Sequence, residues 1–391
     1  MPIPLYLLGL AVFAQGTSEF MLSGLVPDIA GDLHVSIPAA GALTSAFAVG
    51  MIVGAPLMAI LSLRWPRRRA LLVFLTAFML VHVIGALTSS FAVLLATRAL
   101  GALANAGFLA VGLTTATGMV APHLKGRATS VLLGGVTIAC VAGVPAGALL
   151  GQLWGWRSAF WAVALVCVPA VLAIMWAVPD ASPSGSAPGD APGARRELRA
   201  LRGPRLLVTL GLGALVNAAT FCTFTYLAPL ATTVAGVGEA WVPAVLALFG
   251  IGSFAGVTVA GRLSDARPGL VLVPGGLALL AGWLLLAATA GDPAVAVVLV
   301  LVQGTLSFGV GSTLITRALY AATEAPSLGG SFATAALNVG AALGPALGGL
   351  TIGAGLGHRS PVWMSALLVA LAFALAGLAA RPGTRGKAEV S

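Results

Sequence analysis

Twelve stretches of this chain are each about 20 residues long and almost free of charge. That pattern leaves few folds open. A helix of about 20 apolar residues, rising about 1.5 Å per residue, crosses the roughly 30 Å hydrocarbon core of a bilayer. The stretches fall at about 4–26, 39–61, 70–88, 92–119, 128–150, 158–177, 206–228, 243–262, 269–289, 294–317, 328–352 and 361–379. Helices are expected rather than strands, because barrel strands alternate in polarity and are about half as long. Water is excluded as the solvent. Hydrophobic residues make up 59% of the chain and charged residues only 8%, against about a quarter charged in a soluble domain. The first stretch has no basic segment before it and is long enough to span, so it reads as a retained helix rather than a cleaved signal.

The basic residues set an orientation. With the N-terminus inside, the inner connectors and the C-terminal tail hold Arg64, Arg67, Arg68, Arg69, Lys125, Arg127, five arginines from Arg195 to Arg205, Arg262, Arg267, Arg317, Arg381, Arg385 and Lys387. The outer side holds only Arg157 and Arg359. This asymmetry places both termini in the cytoplasm. Between Pro179 and Pro204 the composition turns to Pro, Gly, Ser and Arg, which reads as a cytoplasmic linker. The expected organisation is a six-helix half over 1–178, the linker over 179–204, a second half over 205–380 and a tail over 381–391.

An internal repeat supports the two halves. Gly155-Trp156-Arg157-Ser158 returns as Gly357-His358-Arg359-Ser360, and Gly143-Val144-Pro145-Ala146-Gly147 has a partner in Gly344-Pro345-Ala346-Leu347-Gly348. Ala59-Ile60-Leu61-Ser62-Leu63-Arg64 has another in Gly261-Arg262-Leu263-Ser264-Asp265-Ala266. All three offsets are about 200 residues. Paired halves with a site between them are transporter architecture.

These motifs resemble those of the major facilitator superfamily, and within it the twelve-helix drug:proton antiporters, over the whole chain. The loop motif between helices two and three of that family matches best in the second half, at Gly261 and Asp265. The first copy has Leu63 at the Asp position and Pro66 at the second Gly, so the resemblance shifts gating toward Asp265. Arg64, Arg67 and Arg68 belong to that first loop; the alternative is that Arg67, Arg68 and Arg69 only fix topology. The helix-four motif matches at Leu94-Leu95-Ala96-Thr97-Arg98. The antiporter motif of helix five matches at Gly143, Pro145 and Gly147, with Gly134 and Gly151 in step. Small residues at that spacing let a neighbouring helix approach closely, and Pro145 bends its helix. Gly16-Thr17-Ser18-Glu19-Phe20-Met21, Asn105-Ala106-Gly107-Phe108, Gly309 to Arg317 and Ala335 to Gly340 resemble actinobacterial chloramphenicol exporters. The resemblance implies an all-α membrane protein of the major facilitator fold, in the cell membrane, exporting amphipathic drugs such as chloramphenicol in exchange for protons.

The polar residues inside the spans are the candidate machinery. Glu19 is the one carboxylate in any apolar run, and Arg98 is an arginine within another. Such an arginine costs about 2.5–3.5 kcal/mol on insertion scales, so intramembrane charge usually marks a pathway. Glu19 lies about 9 Å and Arg98 about 10 Å from the outer ends of their helices by residue count. The two therefore sit near one depth, with Glu19 expected to carry the proton and Arg98 to tune it. Gln15 shares a helix face with Glu19, and Asn105 lies two turns from Arg98. Asn217 pairs with Phe224 on one face, Gln303 with Ser307, and Asn338 with Thr334. These are expected to line the cavity, or alternatively to bond helix to helix.

Other functions find no support in the sequence. No phosphate-binding loop is present for a pump. His34, His82, His123 and His358 are scattered, which gives no metal or enzyme site, and no cofactor is expected. The net charge of +9 sits in short connectors with no nucleic-acid module. The expected partners are the lipid bilayer, a small-molecule drug and protons, with the chain acting as a monomer. The remaining alternative is a sugar or nucleoside exporter of the same superfamily.

Overall fold

A computed structural model describes residues 2–62, 65–121, 125–178, 203–263, 268–322 and 329–380. It carries twelve helices long and apolar enough to cross a membrane. They are α1 (Ile3–Phe20), α2 (Ile37–Ser62), α3 (Arg67–Leu87), α4 (Phe91–Gly118), α5, α6 (Arg157–Ala177), α7 (Pro204–Phe224), α8 (Val242–Leu263), α9 (Pro268–Thr289), α10 (Pro293–Ala321), α11 (Gly329–Gly353) and α12 (Ser360–Ala380). α5 runs as Lys125–Ile138 and Val144–Trp154, joined by one π turn over Ala139–Gly143. The expected linker and tail lie outside the described residues, apart from Gly203 and Pro204.

Packing repeats with the sequence. α1 packs on α5 and α6, α2 on α4, and α3 on α4 and α6. In the same order α7 packs on α11 and α12, α8 on α10, and α9 on α10 and α12. The two sets meet along α2 against α11 and α5 against α8. Leu80, Ile84, Leu165, Leu172, Leu277 and Leu371 are exposed on the outer helices, where only lipid suits them.

Glycine makes the close contacts. On α5 a Cβ at Gly135 would run into the Gly9 carbonyl, one at Gly143 into the Thr17 side chain, and one at Gly151 into Leu25; Gly147 would reach 3.1 Å from Met21 Cβ. The four-residue spacing is therefore a seam that receives α1. Gly134, expected in this row, faces open space, and Gly135 takes its place. The seam recurs on α11, where Gly340, Gly344 and Gly348 meet Ala214, Ala218 and Cys222 of α7.

The two halves close at the arginine-poor end. Gly24 wedges between Ala148 of α5 and Leu246 of α8. Tyr226 follows α7, 1% exposed, between Gly41 of α2 and Gly349 of α11, and its hydroxyl donates to the Pro345 carbonyl (2.8 Å). The Gln152 amide donates to the Glu239 carbonyl across the halves. Nearby, hydrogen bonds from Arg157 and Trp156 hold the Asp32 carboxyl below its usual range. This fastens the start of α6 to the short helix Val26–Asp32.

Toward the basic end α1 and α7 become more exposed. Tyr6, Phe13 and Phe20 share one face of α1 at seven-residue spacing. Tyr6 is 54% exposed, Phe13 half-buried and Phe20 9% exposed. α7 follows the same gradient, from Leu207 at its exposed start to an unbroken buried run over Ala218–Ala231.

Several helix ends differ from the expected spans. The α-helix of α1 stops at Phe20 and continues as a 3-10 turn over Met21–Gly24. α7 ends at Phe224 rather than near residue 228. α10 extends to Ala321, beyond the expected 317, because the basic Arg317 ended the apolar run without ending the helix.

The π turn follows from Pro145. Proline has no N–H and cannot join a continuous α-helical ladder. The Val144 N–H bonds to the Ala139 carbonyl, one residue further back than in an α-helix, which leaves Pro145 at the second position of a fresh helix. Pro145→Ala is expected to let this turn relax to α register, rotating Val144–Trp154 by about 100° and moving Gly147 and Gly151 off Met21 and Leu25. Membrane abundance should hold while transport falls severalfold. A wild-type rate at wild-type abundance would count against this account.

Candidate functional site

The site lies between α1, α4 and α5 of one half and α7, α8 and α10 of the other. A void is lined by Phe20, Cys140, Thr220, Phe221, Phe224, Phe249, Gly250, Ser253 and Phe308. Its aromatic walls form a connected series. Phe20 stacks on Phe221 across the halves at 5.9 Å, Phe221 meets Phe224 edge-on at 6.1 Å, Phe224 stacks on Phe249 at 4.6 Å, and Phe249 meets Phe308 edge-on at 6.2 Å. The Phe20–Phe221 stack stands at the buried end of the exposure gradient along α1. Of these five, sequence reasoning found Phe224 alone. The other four become neighbours only once the rotation of each helix is known.

Glu19 precedes Phe20 and is half-buried. It is the one Asp or Glu among the described residues of α1–α12. Arg98 is 2% exposed. Its Nη1 donates to Ser18 Oγ (2.7 Å), its Nη2 to the Ser18 carbonyl (2.8 Å), and its guanidinium lies 4.5 Å over the Phe47 ring. Arg98 binds the residue beside Glu19, on α1, and Glu19 stays in its electrostatic range without forming the bond. The physical reason is geometric: Ser18 offers two acceptors that match the forked donor, and Ser18 and Glu19 point about 100° apart on the helix.

The expected cavity amides divide. Gln15 and Asn105 are each 1% exposed. Neither amide atom of Gln15 has a hydrogen-bond partner, nor has the Asn105 oxygen, while the Asn105 nitrogen faces Met51 Sδ at 3.5 Å. Asn217 instead donates to the Leu337 carbonyl (2.6 Å), joining α7 to α11. Asn338 donates to Thr334 of its own helix (3.0 Å). Gln303 lies inside the second half, donating to the Leu279 carbonyl (3.2 Å) and packed on Gly282 of α9. Its Oε1 has no hydrogen-bond partner, and it lines a second small void together with Phe224, Phe249 and Trp283, next to the first.

At the basic end, Arg67 lies against Gly118 at the end of α4, and Arg68 donates to the Met175 carbonyl at the end of α6. Both tie the first half to itself. Gly261 is in the last turn of α8, while Arg64 and Asp265 lie outside the described residues. Among the described residues no cluster of His, Cys, Asp or Glu suits a metal ion.

Comparison with known proteins agrees with this architecture. A chloramphenicol resistance protein of Streptomyces lividans is 58% identical over 96% of this chain and 96% of its own. An inner membrane transport protein of Escherichia coli is 35% identical over 97% and 96%. A chloramphenicol efflux pump of Mycobacterium tuberculosis is 30% identical over 88% and 85%. Among solved structures, a bacterial homologue of the human lysosomal transporter Spinster, inward-facing and unoccupied, superposes with a TM-score of 0.75 at 18% identity, covering 96% of this chain and 95% of that one. At that identity the likeness speaks for the fold alone. The family description Major Facilitator Superfamily matches residues 8–330. Twelve spanning helices in repeated packing, a multi-pass place in the cell membrane and transporter relatives along the whole length lead to one assignment: this chain belongs to the Major Facilitator Superfamily.

Proposed function

We propose that this protein exports neutral amphipathic drugs, chloramphenicol first among them, across the cytoplasmic membrane in exchange for protons, and so makes its host resistant. The observation that carries this reading is the aromatic cleft between the halves, walled on one side by Phe20, the residue after Glu19. A flat aromatic drug fits between phenyl faces. The unpaired Gln15 amide and the unpaired Asn105 oxygen leave hydrogen-bonding capacity in the first half for its polar groups. Relatives named for chloramphenicol at 58% and 30% identity support the same substrate. A sugar or nucleoside would ask for many hydrogen bonders where this cleft offers mainly phenyl rings.

In this reading the basic end, both termini and the linker face the cytoplasm. Drug enters from that side, up the gradient of exposure from Tyr6 toward Phe20. The Phe20–Phe221 stack, Gly24 and Tyr226 close the outer side meanwhile. The halves then rock about the α2–α11 and α5–α8 contacts, and Glu19 takes a proton as the outer side opens and drug leaves. Arg98, which keeps its own charge, gates this exchange. The protein works as a monomer and moves its substrate without converting it.

The test is accumulation of labelled chloramphenicol in cells expressing the protein. Accumulation should stay below that of empty cells and rise to their level when a protonophore is added. Unchanged accumulation and tolerance, together with export of a labelled sugar or nucleoside, would replace this reading with its rival.

A further inference from the structure

The anchor of Arg98 continues beyond Ser18 to a residue that no motif includes. His82 lies in α3, 2% exposed, with the Phe78 ring at 4.2 Å and the Phe160 ring at 5.8 Å. Its Nδ1 is 2.7 Å from the Phe78 carbonyl oxygen, and its Nε2 is 2.6 Å from Ser18 Oγ. A carbonyl only accepts, so Nδ1 carries the ring proton. Nε2 is then an acceptor, and the Ser18 hydroxyl donates to it. That fixes the remaining lone pairs of Ser18 Oγ toward Arg98 Nη1. While Arg98 Nε has no acceptor, each donor along the path from His82 Nδ1 to Arg98 Nη1 meets one. A second proton on the ring would break it, since Nε2–H and Nη1–H would then both point at Ser18 Oγ and leave its own hydrogen unpaired.

We propose that His82, as a neutral imidazole protonated at Nδ1, is a positioning residue for Arg98: through the Ser18 hydroxyl it holds the guanidinium on α1 and away from Glu19. This rests on the coupling roles proposed above for Glu19 and Arg98. The chain joins three helices, since α3 orients a hydroxyl on α1 that orients a cation on α4. Without the Nε2 acceptor, the Ser18 hydroxyl turns back to a carbonyl of its own helix, as serine does in helix interiors. Arg98 then keeps one directed bond instead of two and is free to swing to Glu19. A carboxylate locked in an ion pair no longer exchanges its proton for drug. The defect therefore falls on proton-driven turnover rather than on drug binding.

The experiment uses the full chain in vesicles with an imposed proton gradient and labelled chloramphenicol, once the wild type shows driven transport. Counterflow, the exchange of drug for drug without a proton gradient, is measured in parallel. His82→Leu should lower the Vmax of driven transport about tenfold, the worth of one hydrogen bond to a charged group, with KM and counterflow within about twofold of wild type. His82→Gln, whose amide oxygen reaches the position of Nε2, should restore most of that loss. Ser18→Ala should match His82→Leu, and the double variant should be no worse than either, as members of one series behave. If His82→Leu fails to reach the membrane, the Gln and Ser18→Ala variants carry the test. Three results overturn the proposal: His82→Leu driving transport at the wild-type rate, His82→Gln as impaired as His82→Leu, or driven transport and counterflow falling together. Arg98→Ala separates the two readings. If it leaves driven transport intact, the coupling roles fail; if it abolishes driven transport while the His82 variants spare it, only this inference fails.

Discussion

Glu19→Gln protein is expected to reach the membrane in normal amount, to bind drug, and to build no drug gradient. Glutamine keeps the shape and hydrogen-bonding of a protonated carboxyl but cannot release a proton. No other Asp or Glu among the described residues of α1–α12 can replace it. The expected effect is large because the driving force is large. One elementary charge crossing 100 mV is worth about 2.3 kcal/mol. For a neutral drug exchanged one-for-one with protons, that sustains roughly a fiftyfold gradient at about 1.4 kcal/mol per tenfold. The variant should let this ratio collapse to that of empty vesicles, with drug-for-drug exchange retained. A Glu19→Gln protein that still concentrates chloramphenicol outward, with the pH dependence of the wild type, would remove Glu19 from the coupling step.

Gly250→Val should be the most damaging single change at the interface between the halves. A Cβ at Gly250 of α8 would run into the Cys140 carbonyl oxygen of α5, with the carbonyl carbon at 2.9 Å and Val141 Cα at 3.0 Å. These are backbone atoms inside the π turn, and backbone cannot rotate aside as a flexible side chain can. Overpacking typically costs about 1–3 kcal/mol, and here it falls on the surface that must slide during transport. Transport should drop at least about tenfold, the equivalent of about 1.4 kcal/mol on one step, with abundance largely kept because each half retains its own core. Gly134→Val is the control, since nothing lies within 4 Å of a Cβ there. Equal rates in the two variants would show that the α5–α8 contact is not part of the moving surface.

The fold was legible because a bilayer imposes one length on every crossing. Run length alone located all twelve helices, and the repeats near Gly143 and Gly344 announced the paired packing. The finer turns were not legible in the same way. Nothing in Ala139–Gly143 distinguishes a π turn from α-helix except the proline two residues on. The site was legible where charge stood alone in an apolar run. Glu19 and Arg98 stood out because each is costly there, whereas Ser18 and His82 are polar residues of ordinary cost whose importance depends on facing one another. The helical face of Gln303 could be read from the sequence, but its neighbours, Gly282 on one side and the void beside Phe224 and Phe249 on the other, depend on the rotation of α10. Four of the five wall phenylalanines were hidden in the hydrophobic background, where one more aromatic residue carries no signal until helices from both halves converge on it.

The glycine seams have a consequence for how this protein can change over generations. Along α1–α5 and α7–α11, backbone meets backbone at positions such as Gly135 and Gly344, where nearly any replacement collides. The cleft, by contrast, is walled by side chains from positions that take no part in those seams. Assembly and specificity are thus written in separate residues. A lineage under pressure from a new antibiotic can exchange Phe221, Phe249 or Phe308 without touching either seam, at the packing cost of a core position, since Phe221 and Phe249 are buried in the second half. Recombining one half with the corresponding half of a relative should likewise preserve folding as long as Gly250 and the turn at Cys140 come together. The scaffold stays still while the range of drugs it recognises drifts.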